Sequence, residues 1–159
     1  MLTTLVLDLP DTTATQRAGR AIASGLAPGM LVTLSGDLGA GKTTLARGVL
    51  RGLGWEGPVK SPTFTLVEHY PVSNLYLYHF DFYRFEQASE WDDAGVADTF
   101  RDDTVCLVEW PERVAALLPL ADLATELALV DSGTGRRLAA RANSEAATRC
   151  LSALRQDES

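Results

Sequence analysis

Cysteine and histidine are scarce, two of each in 159 residues, and neither pair is spaced to hold a metal. Cys106 sits inside an apolar run and Cys150 lies near the C-terminus, which excludes a disulfide framework and a cysteine zinc site. Both are expected to stay reduced, Cys106 as a core residue. His69 and His79 fall on different expected strands with no carboxylate or cysteine at ligand spacing, so both are expected to serve packing or the surface. Basic side chains are also short, 14 Lys and Arg against 21 Asp and Glu, for a net charge of −7. That balance excludes a broad electrostatic grip on nucleic acid: no DNA contact is expected, and any RNA connection would run through a partner protein. No apolar run approaches the roughly 20 residues of a membrane span. The opening Met1-Leu-Thr-Thr-Leu-Val lacks a basic segment ahead of an apolar one, so no signal peptide and a cytoplasmic location are expected. Repeats, low-complexity tracts and linkers are missing too. With 46% apolar and 22% charged residues, the composition is globular. One domain over residues 1–155 is expected, with 156–159 as a disordered tail.

What the chain does have is Gly36 to Thr43, Gly-Asp-Leu-Gly-Ala-Gly-Lys-Thr, a complete G-x-x-x-x-G-K-[ST] phosphate-binding loop. Gly36, Gly39 and Gly41 let the backbone curl so that successive N–H groups, Ala40 included, face phosphate oxygens. Lys42 adds a mobile positive charge and Thr43 a hydroxyl for Mg²⁺. Met30–Ser35 before the loop is strand-like and Thr44–Arg51 after it is helix-like, which is the context the motif requires. The helix adds its positive dipole end.

The remaining pattern is that of an α/β domain. Leu2–Asp8 has strand character, and Pro10-Asp-Thr-Thr13 can cap a helix running to about Leu26. Three glycines and a proline within 52–58 end the loop helix near Leu50. Phe64–Tyr70 and Leu75–Asp81, joined by the turn-like Pro71-Val-Ser-Asn74, predict a β-hairpin. Alternation in the second run puts Leu75, Leu77, His79 and Asp81 on one face, with Tyr76, Tyr78 and Phe80 on the other. Trp91, Ala94 and Val96 are expected to anchor one or two short helices within 86–100. Thr104–Trp110 is an apolar run ending in an acid, as a buried parallel strand is, and Pro111 to Leu118 then reads as a helix with proline in its first turn. Leu123–Val130 and Arg136–Ala142 flank a second hairpin signal at 131–135. Ser144 and Glu145 open a last helix ending near Leu154, followed by a frayed tail. The aromatic cluster from Tyr70 to Phe85 lacks basic interleaving and reads as core and interface packing.

A phosphate loop needs an acid at the end of a neighbouring strand to hold Mg²⁺. Glu109, at the end of the most apolar strand, is the stronger candidate, the alternative being a solvated acid at a strand terminus. Asp81 ends a more mixed strand. It can reach Mg²⁺ through water, orient an attacking water, or pair with Arg84 or Lys60 on the surface. Arg84 is either a charge stabiliser near a γ-phosphate or a surface arginine. The hydroxyls of Ser61, Thr63 and Thr65 lie where phosphate-sensing segments often sit, although on the residues alone a proline turn leading into a strand is the better account.

Four stretches, Gly36-Asp-Leu-Gly-Ala-Gly-Lys-Thr-Thr44, Ser61-Pro-Thr-Phe-Thr-Leu-Val-Glu68, His79-Phe-Asp-Phe-Tyr-Arg84 and Glu109-Trp-Pro-Glu112, resemble in sequence and order the TsaE (YjeE) family of bacterial ATPases. The likeness covers nearly the whole chain, from the helix of Thr15, Gly19 and Ile22 to Arg136-Arg137. It implies a three-layer P-loop NTPase-like domain, with helices on both faces of a mixed sheet that has a parallel core and β-hairpin additions. It also implies ATP and Mg as cofactors, and ATP hydrolysis in support of a threonylcarbamoyl modification. That group is placed on the adenosine next to the anticodon of tRNAs reading codons that start with A, while the transfer itself belongs to the partners TsaD and TsaB, through which tRNA is met indirectly. By the resemblance, Gly39 to Thr44 hold phosphates, with Lys42 among the catalytic residues. Thr43, Glu109 and Asp81 surround the metal, Asp81 is needed for hydrolysis, and 61–65 is a switch. Thr15, Trp110, Glu112 and an arginine of the 136–137 pair, Arg136, are nucleotide neighbours. The chain departs from the family at Phe82, often leucine there, and at His69, often proline. A small-molecule kinase and a non-hydrolysing nucleotide sensor are the rival functions: the first needs an acceptor pocket and an arginine-bearing lid, the second the loss of an acid.

Overall fold

The structure, a computed structural model, describes residues 3–72, 75–130 and 133–158. Met1, Leu2 and parts of both expected hairpin turns, Ser73, Asn74, Asp131 and Ser132, lie outside them, as does Ser159. Seven strands emerge from the β-prone runs: β1 Thr4–Leu9, β2 Leu31–Ser35, β3 Val67–Val72, β4 Leu75–Asp81, β5 Thr104–Glu109, β6 Leu123–Val130 and β7 Gly135–Ala142. They form one sheet in the order β1-β7-β6-β2-β5-β4-β3. β6, β2, β5 and β4 run parallel. The pairs β3–β4, β6–β7 and β1–β7 are antiparallel, so both expected hairpins form. Every residue of β5 is buried, which accounts for its unbroken apolar run: both of its faces are covered.

Helices cover the two faces unequally. α1 (Thr12–Gly25), α2 (Lys42–Gly52) and the C-terminal helix Thr148–Glu158 pack on one face. Asp11 caps α1 by accepting a hydrogen bond from Ala14 N at 2.8 Å, which satisfies one of the free donors of its first turn. α1 and α2 meet backbone to backbone: a Cβ on Gly19 would lie 2.3 Å from the Leu45 carbonyl oxygen, and one on Gly48 2.2 Å from that of Gln16. This contact fixes the helix behind the phosphate loop against the start of α1. On the other face, Phe80, Phe82, Phe85, Trp91, Val96 and Val114 form a second apolar cluster. It is roofed by the short α3 (Ser89–Asp93) and a 3-10 turn at Val96–Thr99. Trp91 and Val96 anchor this roof as expected, whereas Ala94 is exposed.

Three boundaries differ from the sequence reading. The expected helix at 111–118 is only a 3-10 turn, Pro111–Val114. Trp110 enters it with a left-handed φ of 58°, and the amides of Leu117 and Leu118 fold back on the Val114 carbonyl. The strand expected from Phe64 starts at Val67, because Leu66 takes φ 72° and donates to the Pro62 carbonyl in a turn. The last helix begins at Thr148 rather than Ser144 and continues through Glu158, so 156–158 are helical rather than frayed. With α4 as the label for Thr148–Glu158, the main core brings α1, α2 and α4 onto the sheet face that also carries Leu77 and Leu107.

Candidate functional site

The phosphate loop leaves the carboxyl end of β2 and opens α2, as the octapeptide requires. At its entrance Gly36 has φ 143°, and a Cβ there would lie 2.4 Å from the Leu127 carbonyl oxygen on β6; glycine is needed on both counts. At its exit Lys42 is buried, its Nζ donating to the Gly36 carbonyl and lying 3.7 Å from the centroid of the Trp110 ring. Burial holds this ammonium below the ordinary lysine range, while the carboxylates of Glu109 and Asp81 pull it back up. Arg136 of β7 braces the loop from outside. Its Nε donates to the Ala40 carbonyl at 2.9 Å and its guanidinium to the Gly39 carbonyl at 3.1 Å, with further bonds to Gly133 and Gly135.

The facing wall comes from sheet register. Asp81 and Glu109 end the adjacent parallel strands β4 and β5 and pair directly, on the same face as Leu77 and Leu107. Both are buried. Glu109 Oε2 accepts from the Thr43 hydroxyl at 3.3 Å and lies 2.6 Å from His79 Nε2. Asp81 accepts from Tyr83 N at 2.9 Å and from the Thr63 hydroxyl at 3.1 Å, and the Thr63 hydroxyl is 2.8 Å from that of Ser61. Arg84 lies over the Phe64 ring at 4.4 Å and shares a neighbouring cavity with Asp81, with no ion pair between the two among the described residues. Two residues in the left-handed region, Leu66 and Trp110, flank this wall, and β4 holds the first: the Leu66 carbonyl accepts from Asp81 N.

The two walls enclose a cavity of about 270 Å³ lined by Gly39, Gly41, Lys42, Thr43, Thr44, Thr63, Asp81, Glu109, Trp110 and Arg136. It adjoins a smaller one of about 160 Å³, lined by Thr15, Gly41, Thr44 and Arg136 among others. Gly36 and Ala40 lie outside this lining: their carbonyls accept from Lys42 and Arg136, and the Ala40 N–H, expected to face phosphate, instead donates to the Asp37 carbonyl at 3.1 Å. Ser61 touches the wall only through Thr63. Glu112 lies outside the lining, though its charge reaches Lys42. The sequence reading missed His79, which is fully buried against Glu109; the alternation that put His79 on one face with Asp81 was the available signal.

Among the described residues no group of three or more His, Cys, Asp or Glu is placed to hold a metal ion. A hydroxyl and two carboxylates are a hard-oxygen set, and they fit a Mg²⁺ that takes its remaining ligands from phosphate and water. No helix among the described residues is long and apolar enough to cross a membrane.

A glycine loop at the carboxyl end of a central parallel strand, opening a helix, with acids at the ends of two strands on one side of it, defines a P-loop nucleotide-binding protein. The sequence profile of the family described as threonylcarbamoyl adenosine biosynthesis protein TsaE matches residues 9–138. The chain belongs to this family. It is 46% identical over 114 residues to the tRNA threonylcarbamoyladenosine biosynthesis protein TsaE of Haemophilus influenzae, covering 72% of each chain. Against the protein of the same name from Treponema pallidum it is 38% identical over 119 residues, covering 75% of this chain and 87% of the relative. The crystal structure of Bacillus subtilis YdiB superposes with a TM-score of 0.80 at 29% identity, over 100% of this chain and 99% of that one.

Proposed function

We propose that this chain binds ATP with Mg²⁺ and hydrolyses it to support turnover of a TsaD–TsaB transferase. That transferase forms the threonylcarbamoyl group on the adenosine next to the anticodon of tRNAs reading codons that start with A. Membership of the TsaE family supports the pathway. The observation that carries the hydrolytic reading is the convergence of Lys42, Thr43, Asp81 and Glu109 on one cavity. Backbone N–H groups of Gly39 and of Gly41 to Thr44, with the Lys42 ammonium, hold the phosphates, and Thr15 and Arg136, which line the adjoining cavity, neighbour the nucleoside together with Trp110 and Glu112. Thr43 and Glu109 hold the metal, which neutralises phosphate charge when bound. Asp81, oriented by Tyr83 N and Thr63, serves hydrolysis at the metal or on the attacking water. Thr63 makes 61–65 a switch segment, since a γ-phosphate would compete with Asp81 for its hydroxyl.

The test is ATP hydrolysis by the purified protein alone and with TsaD and TsaB. Slow turnover alone and faster turnover with the pair is the expected result; no stimulation overturns the partner-driven reading. A second reading, phosphorylation of a small molecule, draws on a cavity of about 380 Å³ beyond Thr63 and Asp81, lined by Phe64, Leu66, Arg84 and Phe85 among others. A phosphorylated metabolite accumulating from ATP and cell extract would establish it.

A further inference from the structure

We propose that His79 is a positioning residue that orients the Glu109 carboxylate for the metal-bound nucleotide; this rests on the reading of Glu109 as a Mg²⁺ ligand. His79 stands two residues before Asp81 on β4, on the same face, and is completely buried. Its Nε2 lies 2.6 Å from Glu109 Oε2. A carboxylate only accepts, so Nε2 carries the proton and donates. Among the described residues its other nitrogen, Nδ1, has no hydrogen-bond partner, and a bare acceptor is tolerated there more readily than an orphaned N–H.

Packing alone does not explain this choice. Leu77, two residues back on the same face, is equally buried and fills its place without leaving a polar atom unpaired, which an imidazole does at a cost in stability. What the imidazole contributes is local. With the Thr43 hydroxyl it holds one carboxylate oxygen, Oε2, from two sides, while Oε1 accepts no hydrogen bond among the described residues. His79 is not part of the cavity lining, so it acts through Glu109. Hydrogen-bond partners of metal-binding carboxylates typically change metal affinity by ~10–100-fold when lost.

The experiment is a Mg²⁺ titration of ATP binding, with ATP binding without metal measured alongside. Replacing the imidazole with an apolar side chain, His79→Leu, is expected to raise the half-saturating Mg²⁺ concentration about 10-fold or more and to leave metal-free binding unchanged. His79→Gln, whose amide nitrogen can reach the same oxygen, is expected to recover most of the loss. A leucine variant with wild-type Mg²⁺ dependence, one that weakens binding equally with and without metal, or a glutamine variant as impaired as leucine would each overturn the proposal. Wild-type binding that ignores Mg²⁺ would overturn the metal reading of Glu109 and this proposal together, so the two failures are distinct. Should the leucine variant not fold, the ¹⁵N imidazole spectrum of the wild type decides. The chain has only two histidines, and His79 is expected to show a protonated Nε2 and a bare Nδ1. A proton on Nδ1 instead overturns the proposal.

Discussion

One wall of the cleft is a single stretch of chain, Gly36 to Thr44; the other is gathered from Thr63, Asp81 and Glu109 on three separate segments. The loop wall depends on local conformation: a glycine where φ is 143° and a backbone carbonyl leaves no room for a Cβ, and a lysine that folds back over the loop it ends. The acid wall depends on strand register. Asp81 and Glu109 face the loop only because β4 and β5 pair them in parallel, and a slip of one residue would turn an acid to the opposite face, into the aromatic cluster. In the proposed function, affinity would thus come from a few consecutive residues while the chemistry hangs on the alignment of a whole sheet.

Removing one group from each wall should separate those contributions. Asp81→Ala is expected to slow ATP turnover by about 10²-fold or more, the usual scale for a lost catalytic acid or base, with ATP binding preserved. Rapid-quench turnover and equilibrium binding on the same sample check both halves, and lost binding would move Asp81 from chemistry to holding metal or nucleotide. Lys42→Ala should weaken ATP binding by at least ~30-fold, from the 2–5 kcal/mol typical of breaking a buried charge contact, whether or not Mg²⁺ is present. Calorimetry in both conditions measures it. Gly36→Ala should destabilise the fold itself by about 1–3 kcal/mol through left-handed strain and the clash with Leu127, seen as a lower urea midpoint.

A further effect lies outside both walls. Burial pushes the Cys106 thiol up to about 11 and the Cys150 thiol up to about 12. Both folded values are raised, so their contribution is complete below the unfolded thiol's value of 9.0 and is lost as pH rises from there toward about 11 for Cys106 and about 12 for Cys150. The loss should be about 1 kcal/mol per thiol per pH unit. Urea unfolding between pH 8 and pH 10 measures it, and replacing both cysteines with alanine should remove that part of the slope.

The same contrast explains what was legible beforehand. The octapeptide, the two hairpins and the acids at strand ends could all be read from the chain, because each is a local pattern or a period of two. His79 could not be recognised by spacing, since its partner Glu109 is 30 residues away and only register brings them together. Arg136 was expected beside the nucleotide, and it lines the cavity, but its bonds to the Gly39 and Ala40 carbonyls depend on β7 crossing near the loop, which the sequence does not display. The helix expected after Pro111 stops at Val114, where the Leu117 and Leu118 amides both turn back to one carbonyl, and the left-handed Trp110 before it is a conformation no propensity argument anticipates for a bulky side chain.

The division of labour between the walls is tested most directly by ATP affinity measured with and without Mg²⁺ for the wild type, Lys42→Ala and Glu109→Gln. Lys42→Ala is expected to lose affinity in both conditions, whereas Glu109→Gln loses only the part that Mg²⁺ adds. A Glu109→Gln protein weakened equally without metal would contradict that division.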